Sequence, residues 1–142
     1  MKTIQPARFL KLALYADAAA SLGVGVWHLL LPGLLAEQLL LPVALLTGTG
    51  LFLLGYAVVL VLLASAQQVW AAAIQFIVVG NVGWAAASVA LLVTSVLAPS
   101  SLGVAFLLAQ AGAVLVLAWL EYAGLRESMW DAGAPTTAPR GA

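Results

Sequence analysis

Apolar residues run through this chain in four long blocks, broken only by short polar or proline-containing pieces. Each block reaches at least about 18 residues, the length at which an apolar helix crosses a hydrocarbon core roughly 30 Å thick. The pattern predicts helices over 9–31, 43–64, 69–97 and 102–125. Pro6 and Pro42 suit first helical turns, where the missing N–H has no helical partner anyway. Pro32-Gly33 stops the first helix, and 34–41, with Glu37 and Gln38, reads as a connection. Ser65 to Gln68 is a turn short enough to make the second and third helices antiparallel neighbours. The predicted fold is all-α: an integral membrane antiparallel four-helix bundle.

Composition strengthens this picture. The chain is 65% hydrophobic and only 7% charged, against about a quarter charged in soluble domains. A soluble fold of 142 residues could not hide so much apolar surface. Membrane lipids are therefore the first partner, with other membrane subunits or self-association next. A formal net charge of zero and no basic stripe exclude nucleic acid. The absence of cysteine excludes disulfides, thiolate metal sites and cysteine nucleophiles.

Lys2, Arg8 and Lys11 precede the first block, but that block is too long for a signal peptide, carries Asp17 and lacks a small-x-small end, so it reads as a retained span. All five basic residues, these three with Arg126 and Arg140, fall in or beside the terminal segments. With an even number of spans, the positive-inside rule puts both termini in the cytoplasm of a bacterial inner membrane. Trp70, Trp119 and Tyr122 suit interfacial belts. The division expected is a transmembrane domain over 1–126 and a small, polar, proline-containing disordered cytoplasmic tail over 127–142. A weak repeat, AAASL from Ala18 against AAASV from Ala85 and LGYAV from Leu54 against LEYAG from Leu120, suggests two similar helical hairpins.

An aspartate deep in a span costs about 2.5 to 3.5 kcal/mol on insertion scales, so Asp17 should face protein rather than lipid. At 100° per residue, steps of four and eleven bring Ser21 and His28 onto its face, with His28 about 16 Å further along the axis. Tyr56 and Asn81 fall at a similar depth on their helices, and Gln110 lies nearer the bilayer centre. Asp17, Ser21, Tyr56, Asn81 and Gln110 form the expected buried polar cluster. Glu121 returns to the cytoplasmic interface. The cluster either fixes helix register, at about 0.6 to 2 kcal/mol per hydrogen bond, or holds a titrating Asp17 for a proton or small solute. With no second deep carboxylate in view, register is the preferred reading.

His28, beside Trp27, Gly23 and Gly25, has room to ligate haem iron or the magnesium of a chlorophyll-type tetrapyrrole. Its simpler reading is a residue at the outer interface, bonded to water, a carbonyl or a headgroup. Catalytic templates fit poorly: there is no nucleophile elbow, phosphate loop or histidine-rich metal cluster, so no enzyme is expected. Gly23 to Gly25 and Gly48 to Gly50 read as close helix packing.

The segments RFLKLALYADAAASLGVGV, LLLPVALLTGTGLFLLGYA, GNVGWAAASVALL and LGVAFLLAQAGAVLVLAWLEYAGLR together resemble a group of small four-span bacterial inner-membrane proteins, over Arg8 to Arg126. That group carries no assigned activity, so the resemblance implies topology and location and transfers no functional residue. The expected role is an accessory or structural membrane subunit that packs with other membrane proteins or lipids. The alternatives are a small-solute or proton-coupled carrier using Asp17, and haem or pigment binding at His28.

Overall fold

The computed structural model describes residues 2–94 and 96–131. Its elements are β1 (Thr3–Ile4), α1 (Arg8–Leu30), α2 (Pro32–Leu39), α3 (Val43–Ser65), β2 (Val69–Trp70), α4 (Ala71–Val93) and α5 (Ser101–Asp131). Four helices, α1, α3, α4 and α5, are long and apolar enough to cross a membrane. The fold is an all-α bundle of these spans, and the chain is a multi-pass membrane protein. Phe76, Val79 and Trp119 lie outside it, 77%, 68% and 66% exposed, a surface suited to lipid rather than water.

Three boundaries differ from the sequence reading. The connection after Pro32 is itself a short helix, α2, with proline in its first turn. Val69 and Trp70 pair with Ile4 and Thr3 as a small antiparallel ribbon, so α4 starts later, and it ends at Val93 rather than Leu97. Helix α5 continues past Leu125 through the first part of the expected disordered tail, to Asp131; the rest of that tail lies outside the described residues.

The ends of α5 and the N-terminal lead hold each other. The Ala7 N–H, an orphan of the first turn of α1, donates to Ser128 Oγ at 2.9 Å, and that hydroxyl donates to the Gly124 carbonyl at 2.7 Å. Ser128 is only 1% exposed. Ile4, Leu10, Leu14, Leu60, Ile74 and Leu125 form the core beneath. At the opposite end Ser100 closes the α4–α5 loop onto α2, its N–H donating to the Leu39 carbonyl at 3.0 Å and its hydroxyl to the Gln38 carbonyl at 2.7 Å.

Packing follows side-chain size. Helix α1 lies along α3 and against α5, while α4 lies along α5. These tight pairs, α1 with α3 and α4 with α5, are the two hairpins that the repeat outlines. Where α1 meets α3, a Cβ on Gly25 would stand 3.1 Å from the Gly50 carbonyl oxygen. Where α1 meets α5, a Cβ on Gly124 would stand 2.7 Å from Leu10 Cα. Backbones touch at both crossings because glycine leaves nothing between them. Helices α3 and α4, the expected neighbours, are not a closely packed pair. Phe52 and Tyr56 on one and Trp84 on the other fill the interval, with Phe52 stacked on Trp84 at 5.5 Å and on Tyr56 at 5.9 Å between ring centroids. Large rings there hold the backbones apart and leave a cavity behind them.

Candidate functional site

The four spans surround a cavity of about 800 Å³. Its lining is apolar apart from Asp17, Ser21, Tyr56, Asn81 and Gln110, so the expected cluster converges on one space. Phe52, Gly55, Phe76 and Gly80 line the same cavity and are exposed at the bundle surface. The cavity therefore communicates sideways with the lipid, between α3 and α4.

Four residues of the cluster join in one hydrogen-bonded network. Ser21 Oγ, one turn on from Asp17, donates to Asp17 Oδ1 at 3.2 Å. The single hydroxyl proton of Tyr56 is shared between Asp17 Oδ2 at 3.1 Å and Asn81 Oδ1 at 3.0 Å. The Asn81 amide nitrogen has two protons and spends both on carboxylates, one at 2.9 Å to Asp17 Oδ2 and one at 3.0 Å to Glu121 Oε2. Asn81 is thus the joint of the site, and it ties α1, α4 and α5 at one depth. Gln110 stands apart from this network, on the cavity wall, a residue type with both donor and acceptor free to turn inward.

Glu121 corrects the sequence reading. It does not lie at an interface; it is 0% exposed and is the second carboxylate of the network. The eleven-residue step that puts His28 on the face of Asp17 also puts Glu121 on the face of Gln110, and that signal was present in α5. Two buried carboxylates therefore lie within about 6 Å of each other through one amide. Their partners are all neutral side chains: a serine, a tyrosine and an asparagine. Among the described residues no group donates to Glu121 Oε1. The network is rich in acceptors, and a proton or another cation is what completes it.

His28 is also corrected. It is 3% exposed rather than interfacial. Thr49 Oγ1 lies 3.0 Å from its Nδ1, and the only proton of that hydroxyl goes to backbone carbonyls, those of Leu45 at 2.8 Å and Leu46 at 3.1 Å. With the Thr49 proton on a carbonyl, Thr49 accepts from the imidazole, the tautomer that carries its proton on Nδ1 and a lone pair on Nε2. That nitrogen is buried and without a partner. Asp17 and His28 do not meet, as their spacing predicts. Thr49 was not singled out from the sequence, because a threonine inside an apolar helix most often satisfies its own preceding turn.

Asn81, Trp84 and Ser88 do share one face of α4: Asn81 and Ser88 are buried, and Trp84 lines the cavity. Among the described residues, no three His, Asp or Glu side chains converge on a metal-sized site. Comparison of the chain with family models, with curated proteins and with solved structures finds no match in any of the three.

Proposed function

We propose that this protein is a membrane carrier for lipid-soluble organic cations, with Asp17 as the anionic anchor and Glu121 behind it. One observation carries the reading: the Asp17 carboxylate, backed by Glu121 through Asn81 and partnered only by neutral groups, lines a cavity of about 800 Å³ whose wall includes the stacked rings of Tyr56, Phe52 and Trp84. Carboxylate supplies charge and the rings supply cation–π attraction, about 0.5 to 2 kcal/mol each. An apolar wall accepts the rest of an amphiphilic amine, and the side opening admits it from the bilayer. Asn81 keeps the two acids at a fixed spacing, so Glu121 stands behind Asp17 where a cation would arrive. The position of the basic residues supports an inner-membrane orientation with both termini cytoplasmic, which a reporter fused after Ala142 tests.

The experiment is equilibrium binding of the fluorescent amine 1-naphthylmethylamine to the purified protein in lipid nanodiscs. Saturable binding is expected, weakened at least about tenfold, or 1.4 kcal/mol, by Asp17→Asn. Equal binding by wild type and Asp17→Asn refutes the reading. A role as an accessory subunit draws support from a different feature: Gly48, Gly83 and Gly112 are exposed with nothing packed over them, which leaves room for helices of another subunit. Native mass spectrometry from mild detergent tests it, and recovery of free monomer alone counts against it.

A further inference from the structure

Two smaller cavities adjoin the main one, and all three touch Phe106. One, of about 340 Å³, is lined by Gly23, Val24, Trp27, His28 and Phe106 among others. Another, of about 170 Å³, is lined by His28, Thr49, Trp84, Phe106 and Gln110 among others. Val24 belongs to both the main cavity and the first of these, while Trp84 and Gln110 belong to both the main cavity and the second. The space from Asp17 to His28 is thus a row of chambers partitioned by one aromatic ring. Phe106 is half-buried and its ring lies 5.8 Å from that of His28, tilted by 50°.

A different acceptor stands at each place along the row. At one end is the Asp17 carboxylate. Midway is the Gln110 amide, one turn from Phe106 on α5. At the far end, about 16 Å along α1 from Asp17, is the Nε2 of a histidine only 3% exposed, which has no hydrogen-bond partner among the described residues. The Thr49 contact holds the lone pair in place: with Nδ1–H engaged, Nε2 can only accept. Trp27, Trp84 and Phe106 supply ring faces along the row.

We infer that His28 is a second station for the cation, which donates an N–H to Nε2 after leaving Asp17, and that the Phe106 ring is the gate between the two stations. This deepens the carrier reading and rests on it. A primary ammonium exchanges the carboxylate for Gln110 and then for the imidazole, so its protons always meet an acceptor as it crosses the apolar middle of the bundle. A quaternary ammonium, having no N–H, can use only the first station.

The test compares two readouts on the same preparations: equilibrium binding of 1-naphthylmethylamine in nanodiscs, and its uptake into proteoliposomes under an inside-negative potassium diffusion potential. His28→Leu is expected to keep binding within about twofold and to lower uptake at least tenfold, with His28→Gln, which retains an acceptor, recovering part of it. Phe106→Trp should slow uptake by a larger factor than it weakens binding. Should His28→Leu fold poorly, Thr49→Val carries the test, since it releases the tautomer lock and should lower uptake severalfold. Uptake of tetrapropylammonium should not respond to His28→Leu. Wild-type uptake in both His28→Leu and Thr49→Val overturns the inference while leaving the Asp17 site standing. A visible absorption band in the purified protein that disappears in His28→Leu also overturns it, because Nε2 would then be occupied by the metal of a tetrapyrrole. Absence of saturable binding by the wild type is a different result, and it removes the carrier reading together with this one.

Discussion

Replacing Asn81 by alanine removes the joint of the polar network. Asn81 is 4% exposed, and it makes three hydrogen bonds, two donated at 2.9 and 3.0 Å and one accepted at 3.0 Å. Hydrogen bonds between membrane helices average about 0.6 kcal/mol and reach about 1.7. Three such bonds place the loss near 2 kcal/mol. A second cost arises because the Asn81 amide is the donor that Glu121 Oε2 receives and the amide that bridges the two carboxyl groups. A buried acceptor left without a donor costs about 1 to 3 kcal/mol. The variant should therefore be destabilised by about 2 to 4 kcal/mol, measured by reversible unfolding in bicelles. Much of that loss should disappear when Glu121→Gln is present as well. The double-mutant cycle isolates the contact, and a coupling of at least about 1 kcal/mol is expected between these neighbours. A loss below about 0.5 kcal/mol for Asn81→Ala, or a double variant additive to within about 0.3 kcal/mol, would refute the view that one amide joins the two acids.

Gly124→Ala should destabilise the bundle by about 1 to 3 kcal/mol, because the new methyl meets Leu10 backbone atoms at 2.7 and 2.9 Å and neither chain can step aside. Gly112→Ala, with nothing within 4 Å, should be neutral or gain up to about 1 kcal/mol from helix propensity, and thermal unfolding in one detergent compares the two directly; equal losses would show that α1 and α5 do not cross at Gly124. Ser128→Ala should strip the Ala7 N–H of its acceptor, costing about 1 kcal/mol and raising amide exchange at the start of α1 well above that of α4; unchanged exchange would mean that water or another group serves equally well.

Much of the fold could be read from the chain because a bilayer leaves few choices. Runs of apolar residues this long must be helices, since every backbone polar group in hydrocarbon needs an internal partner. The spans were thus located to within a few residues wherever lipid is the solvent. Errors fell at the ends, where protein contacts replace lipid. Leu34 to Leu39 could be helix or loop on polarity alone, and docking by Ser100 coincides with the helical choice. The Glu127 to Asp131 stretch looks like tail, yet Ser128 is held between α1 and α5. Tail composition says nothing about a single buried hydroxyl.

The site divides along the same line. Helical periodicity alone placed Asp17 with Ser21, and depth counting brought Tyr56 and Asn81 to the same level, since both depend on rise and turn per residue, which are constants of the helix. Depth could not say which helices touch. Gly25, Gly50 and Gly124 draw α1 against α3 and α5, while the Phe52 and Trp84 rings hold α3 off α4; these outcomes depend on how several side chains fill a shared volume. Only that packing buried Glu121 beside Asp17, turned His28 toward Thr49 and opened the row of chambers between them. The sequence by itself determined a four-span membrane bundle with an acid in its first helix. The tertiary structure alone decided that this acid has a partner, because rotation of α5 about its own axis is set by its neighbours and not by its hydrophobicity, which is nearly uniform around the helix.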